Sequence, residues 1–134
     1  MKIQSWLASL SVVALALAAC SSTPEIAAAK TESGKASWYG SGLQGRKTAS
    51  GERFNMNTFS AAHRTHAFGT KLCVKNLRNG RGVTVRVNDR GPFVRGRAVD
   101  VSRKAAQSLG MIGSGTASVR VSVVGSKRKV GSRC

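Results

Sequence analysis

The sequence predicts a mainly β domain, a small barrel with one or two short helices. Short apolar or alternating runs recur along the chain with turn residues between them, as strands require. Glycine is frequent, at 15 of 134 residues, and falls mostly between these runs. A single stretch carries helix signals at both of its ends. Strands this short, punctuated by glycine, favour a barrel, and a sandwich remains the alternative.

Five runs read as strands in chain order: Lys35 to Tyr39, Thr70 to Lys75, Val83 to Val87, Arg97 to Val101 and Ser118 to Val124. Asn79-Gly80 between the second and third is a turn signal, because glycine accepts positive φ. The helix is expected over Arg103 to Leu109, where Ser102 can cap its start and Gly110 can end it.

The ends read differently from the middle. Lys2, the apolar stretch Leu7 to Ala18 and the small residues before Cys20 have the form of an export signal over residues 1–19. Leu17-Ala18-Ala19-Cys20 resembles the lipobox of bacterial lipoproteins, in which the cysteine is acylated after cleavage; an ordinary secretory signal is the alternative. Ser21 after that cysteine favours the outer membrane facing the periplasm. Residues 20–33, with Pro24 and a run of alanines, are expected to be a flexible tether. Residues 34–125 form the one compact domain, and 126–134 a basic, solvated tail.

If Cys20 carries lipid, Cys73 and Cys134 remain, and an even remainder in an oxidising compartment suggests a disulfide. Two unpaired thiols, with Cys73 buried as a small apolar residue, is the other reading. No group of Cys and His has metal-ligand spacing, so neither a metal nor an organic cofactor is expected.

The chain holds 22 Lys and Arg against five acids, for a formal charge of +17. Such a surface attracts polyanions. Export and the scarcity of aromatic residues exclude nucleic acid, leaving membrane head groups and the carboxylates of peptidoglycan as partners. Three of the five acids, Glu52, Asp89 and Asp100, sit inside short motifs rich in polar and small residues, so chemistry has few places to reside.

Those motifs form an ordered set: Ala36-Ser37-Trp38-Tyr39-Gly40, Thr48-Ala49-Ser50-Gly51-Glu52, Ala61-Ala62-His63, Phe68-Gly69-Thr70, Asn88-Asp89-Arg90-Gly91-Pro92-Phe93 and Asp100-Val101-Ser102. Together they resemble the rare lipoprotein A (RlpA) family. The resemblance covers nearly all of Trp38 to Val124 and implies a six-stranded double-psi β-barrel, related to expansins, that acts on peptidoglycan glycan strands as a lytic transglycosylase. A monomer is expected.

Such a reaction needs one acid to protonate the glycosidic oxygen and a base for the sugar's own C6 hydroxyl, and one carboxyl group can serve in turn. Asp89 is the first candidate, at the end of the Val83 to Val87 strand; a turn-capping aspartate is the competing reading. Glu52 and His63 are expected as its partners and Asp100 as support or substitute. Trp38 and Tyr39 are expected to meet sugar faces, with Ser50, Asn55, Asn88 and Arg90 as further binding residues. Asn55 departs from the family, where an aspartate often stands, and favours the runner-up reading of a non-catalytic, expansin-like wall-binding module.

Overall fold

The computed structural model describes residues 31–134. In chain order these form β1 (Glu32–Trp38), a 3-10 turn (Ser41–Leu43), β2 (Ser60–Ala62), β3 (Lys71–Asn76), β4 (Gly82–Asp89), β5 (Arg97–Val101), α1 (Arg103–Leu109) and β6 (Thr116–Val123). The strands close into a barrel in the order β1-β5-β2-β4-β3-β6, with β6 paired back to β1. Two neighbouring pairs, β1 with β5 and β2 with β4, are parallel, and the other four are antiparallel. This is the six-stranded double-psi barrel that the sequence predicts.

Small β-branched and aliphatic side chains fill the interior, as a narrow barrel demands. Leu72, Val74, Val85, Val87, Val99, Val101 and Val119 are fully buried, together with Leu109 of α1 and Met111 beyond it. Each such side chain contributes about 1.5–3 kcal/mol by leaving water. The helix has the limits read from the sequence. Ser102 caps it by accepting the Ala105 N–H, and Gly110 closes it with φ of 69°.

Apart from shifts of one or two residues at strand ends, three features differ from expectation. β2 was not among the runs read as strands, because Ser60-Ala61-Ala62 has neither alternation nor a β-branched residue. Its formation is imposed from both sides by β4 and β5. β1 begins at Glu32, inside the stretch expected as tether to residue 33, because Glu32 and Ser33 find partners in Val121 and Arg120 of β6. The segment 126–134, expected as a solvated tail, docks on the barrel.

An open strand edge explains that docking. β2 reaches β4 only at Arg86, Val87 and Asp89, which leaves the first half of β4 without a neighbour on that side. Unpaired backbone groups there need partners. The Gly131 N–H donates to the Thr84 carbonyl (2.8 Å), and the Thr84 N–H donates to the Ser132 carbonyl (2.9 Å). Lys71 Nζ adds bonds to the carbonyls of Ser126 and Arg128, both 2.7 Å. Cys134 is disulfide-bonded to Cys73 of β3. Gly82 makes room for this: a Cβ there would lie 2.5 Å from the Cys134 carbonyl oxygen.

The bridge spans 61 residues, a separation for which loop-closure entropy gives about 4 kcal/mol. Cys134→Ser is therefore expected to lower unfolding free energy by about 2–4 kcal/mol in urea titrations. Dithiothreitol is expected to bring the wild-type midpoint down to that of the variant and leave the variant unmoved.

Candidate active site

Four adjacent strands set a row of residues along one side of the barrel. Ser37 of β1 is in register with Asp100 of β5, Asp100 with Ala62 of β2, and Ala62 with Asp89 of β4. Residues in register share a face, so the two aspartates flank Ala62 with Cα atoms roughly two strand spacings, about 10 Å, apart. Only one methyl group stands between them.

Two one-residue bulges produce this alignment. Pairing of β2 with β4 steps from Ala61–Val87 to Ala62–Asp89, which makes Asn88 the extra residue. Pairing of β1 with β5 steps from Lys35–Arg97 to Ala36–Val99, which makes Ala98 extra. Without the first bulge Asn88 would face the row in place of Asp89; without the second, Val99 would replace Asp100. Bulges beside functional sites re-aim side chains in this way. Gly34 accommodates the second, since a Cβ there would lie 2.9 Å from the Ala98 Cβ.

Asp89 is half-buried at the end of β4 and held entirely by uncharged donors. Its Oδ1 accepts the Ala49 and Arg90 backbone N–H groups, both at 2.9 Å, and its Oδ2 accepts the Tyr39 hydroxyl at 3.2 Å. Burial, then the neighbouring carboxylates of Asp89 and Asp100, push the Tyr39 phenol far above its ordinary value. Tyr39 is therefore a fixed hydrogen-bond donor. Its ring packs edge-on against Phe54, with centroids 5.0 Å apart.

Each other acid among the described residues is matched to an arginine. Asp100 pairs with Arg97 at 2.6 Å and accepts the Ser37 hydroxyl, which itself accepts from Arg97. Glu52 accepts two bonds from Arg86 Nη2, at 2.7 and 2.9 Å. That hydrogen bond holds the Glu52 carboxyl below its ordinary value of 4.5. Glu32 pairs with Arg64 at 3.2 Å. Asp89 alone makes no ion pair among the described residues.

The expected partners of Asp89 are thus placed elsewhere. Glu52 turns to Arg86, on the exposed surface. His63 is buried, and its Nε2 bonds Glu32 Oε2 at 2.8 Å while Nδ1 accepts the backbone N–H groups of Thr65 and His66. Since Nδ1 accepts, Nε2 carries the hydrogen. His63 reaches Asp89 only through its backbone N–H, which donates to the Asp89 carbonyl at 3.1 Å.

Among the expected binding residues, Trp38 packs against the core cluster and Asn88 is buried. Ser50 Oγ bonds Thr48 Oγ1 and receives the Glu52 N–H, shaping its own turn. Asn55 is exposed, and its Oδ1 accepts the Asn57 N–H at 3.0 Å. The Arg90 guanidinium aims away from Asp89: it donates to the carbonyls of His63 and His66 and lies 4.0 Å over the Phe68 ring. The sequence reading missed three participants. Glu32 was hidden in a tether-like composition, Arg97 was read only as the head of a strand run, and His66, whose ring lies 4.2 Å from that of His63, stood outside the matched motif. No group of three or more His, Cys, Asp or Glu able to hold a metal forms among the described residues.

A double-psi barrel with a two-aspartate row at one rim is the class that fold and site define. Among solved structures, the fold is similar to a Streptomyces papain inhibitor, with a TM-score of 0.58 and 21% identity over 72% of this chain and 96% of that one. It is also similar to an expansin of Clavibacter michiganensis, with a TM-score of 0.58 and 24% identity over 74% of this chain and 52% of that one.

Sequence comparison makes the assignment narrower. The model of the lytic transglycolase family matches residues 31–121, and the chain belongs to that family, among the RlpA-like barrels. It is 54% identical over 100 residues to the endolytic peptidoglycan transglycosylase RlpA of Campylobacter jejuni, covering 75% of this chain and 36% of that protein. It is 53% identical over 91 residues to the enzyme of the same name from Neisseria meningitidis, covering 68% and 38%. The probable endolytic peptidoglycan transglycosylase RlpA of Nostoc sp. is 60% identical over 94 residues, covering 69% and 25%. The chain spans between a quarter and two fifths of the length of these relatives.

The Glu52–Arg86 pair gives a pH signature. A carboxyl whose folded value is depressed stabilises the fold above its unfolded value, and that contribution disappears as pH falls through the folded value. Both side chains are more than a third exposed, so the contribution is below about 1 kcal/mol. Arg86→Ala is expected to melt slightly below wild type at pH 7, with the gap closing as pH falls below the ordinary carboxyl value of 4.5. A gap that persists at low pH would show that Arg86 acts by packing instead.

Proposed function

We propose that this domain is the catalytic unit of an endolytic peptidoglycan lytic transglycosylase, with Asp89 as the acid and then the base. The observation that carries the reading is the isolation of Asp89: in a strongly cationic domain it is the one carboxylate among the described residues that no cation neutralises. Membership of the lytic transglycolase family and the names of the relatives support it.

The chemistry follows from the donors around Asp89. Two backbone N–H groups fix Oδ1, and the Tyr39 hydroxyl orients Oδ2, which keeps a lone pair for a proton. Asp89 gives that proton to the oxygen between N-acetylmuramic acid and N-acetylglucosamine. As this C–O bond breaks, the C6 hydroxyl of the muramic acid bonds to C1 and its proton passes to the Asp89 carboxylate. The products are a 1,6-anhydro end and a free C4 hydroxyl, and no water is consumed. Asp100, neutralised by Arg97, supports the site through its field on Tyr39. Glu52 and His63 brace the loops around Asp89 through Arg86 and Glu32.

The finer reading is a preference for strands stripped of stem peptides and a single-copy protein in the envelope. Cys20 and residues 1–19 lie outside the described residues; in this proposal Cys20 carries the lipid that holds the domain at the outer membrane, facing the periplasm. Its cationic surface suits a polymer bearing carboxylates.

A non-catalytic wall-binding role is the second reading, favoured by Asn55. The contact seen at that position is acceptance of a backbone N–H, which asparagine performs as well as aspartate. The two readings separate in one experiment. The chain from residue 20 onward, made soluble by Cys20→Ser, is incubated with amidase-stripped peptidoglycan, and 1,6-anhydro ends are counted by mass spectrometry. Asp89→Asn is expected to reduce their release by about 10²–10⁴-fold. Tyr39→Phe, which removes one hydrogen bond, is expected to cost about tenfold in kcat. Binding with no product from the wild type would leave the second reading, and hydrolysed ends without the anhydro ring would overturn the reaction class.

A further inference from the structure

The connection from β4 to β5 joins the two strands that carry Asp89 and Asp100, and its tip is apolar. Phe93 is 81% exposed and Val94 54%, the two most exposed of the large hydrophobic side chains among the described residues. The tip is held in place. Arg97 donates its backbone N–H to the Val94 carbonyl at 3.1 Å, and Gly91 turns the chain with φ of 120°. Atoms of the Phe93 ring lie 3.7 and 3.8 Å from where a Cβ on Gly91 would stand. The ring is thus laid back over the segment that leaves Asp89, with most of its surface in water.

Nothing in the packing of the barrel asks for an aromatic residue there. Phe93 and Val94 together make a small contiguous apolar patch on a braced turn, rimmed by polar groups, the form that contact surfaces take. The polymer proposed for the neighbouring carboxylate has a fitting shape: a β-1,4-linked N-acetylhexosamine carries equatorial substituents, so each ring face is a patch of axial C–H bonds. Such a face stacks on an aromatic ring, as sequence analysis expected for Trp38 and Tyr39. Those two are committed elsewhere, Trp38 to the core cluster and Tyr39 to Asp89 and Phe54.

We propose that Phe93 is the sugar-stacking platform of the site: one pyranose ring of the glycan strand lies against it, with Val94 extending the contact along the strand. This deepens the glycan-cleaving reading and rests on it. Phe93 touches substrate and no reacting bond, so it sets affinity and leaves the chemical step alone. Insertion of the same tip into a lipid surface is the competing use, since Arg90 and Arg95 flank it. The place of the tip between the two acid-bearing strands favours the glycan.

The test measures binding of stripped glycan strands by the lipid-free chain in an Asp89→Asn background, which prevents turnover. Phe93→Ala is expected to weaken binding about tenfold, and Phe93→Trp to restore it to within about twofold, the scale of one aromatic contact. With Asp89 intact, Phe93→Ala is expected to raise KM about tenfold and change kcat by less than about twofold. Vesicles of mixed phosphatidylethanolamine and phosphatidylglycerol are expected to bind all forms alike. Equal glycan binding with and without Phe93, in proteins of equal melting temperature, overturns the platform and leaves the cleavage reading standing. Vesicle binding lost in Phe93→Ala while glycan binding is kept assigns the tip to lipid and overturns it too. Failure of every form, wild type included, to bind glycan overturns the platform together with the reading beneath it.

Discussion

Both acid-bearing strands pair with β2, a strand only three residues long, and the site exists because they share it. Asp89 and Asp100 lie on consecutive strands and belong to different pairings, one parallel and one antiparallel, yet both register on Ala62. The small side chain matters as much as the register. Ala62 is fully buried between the two aspartate positions, so a larger side chain there would have to displace its neighbours. Ser102 completes the constraint: its backbone N–H donates to the Ser60 carbonyl, its hydroxyl accepts the Ser60 N–H, and it caps α1. Helix, short strand and carboxylates are therefore fixed by one local network.

Charge then separates the acids into different tasks. Where cations abound, a carboxylate left to itself collects an arginine, and Glu32, Glu52 and Asp100 have each done so. Asp89 escapes because its nearest cation is turned away. The guanidinium of Arg90 is occupied by two carbonyls and the face of Phe68, so the residue adjacent to the acid contributes only its backbone N–H. A fork-shaped, planar cation is suited to that double engagement, and lysine could not reproduce it.

Much of the frame was legible in the sequence. β5 and α1 have the limits that apolar runs and capping residues indicate, and the Asn79-Gly80 turn holds Gly80 at φ of 74°. Local chemistry decides those features. What could not be read depends on partners distant in sequence: β2 forms only between two neighbours, the segment after Gly125 is held by the uncovered half of β4, and His63 turns to Glu32, 31 residues before it. Which of the motif residues touch was not visible. Tyr39 meets Asp89, whereas Glu52 and His63 do not meet it through their side chains.

The two bulges carry a consequence for how such barrels diverge. Since Asn88 and Ala98 are each one residue beyond what the neighbouring strand can match, flattening either bulge with its residue kept would turn the following aspartate to the opposite side, whereas deleting that residue would leave the aspartate in place. Descendants that have given up chemistry for grip alone need not have exchanged an acid for anything. Their sequences would align without a gap, and only coordinates would reveal the slip.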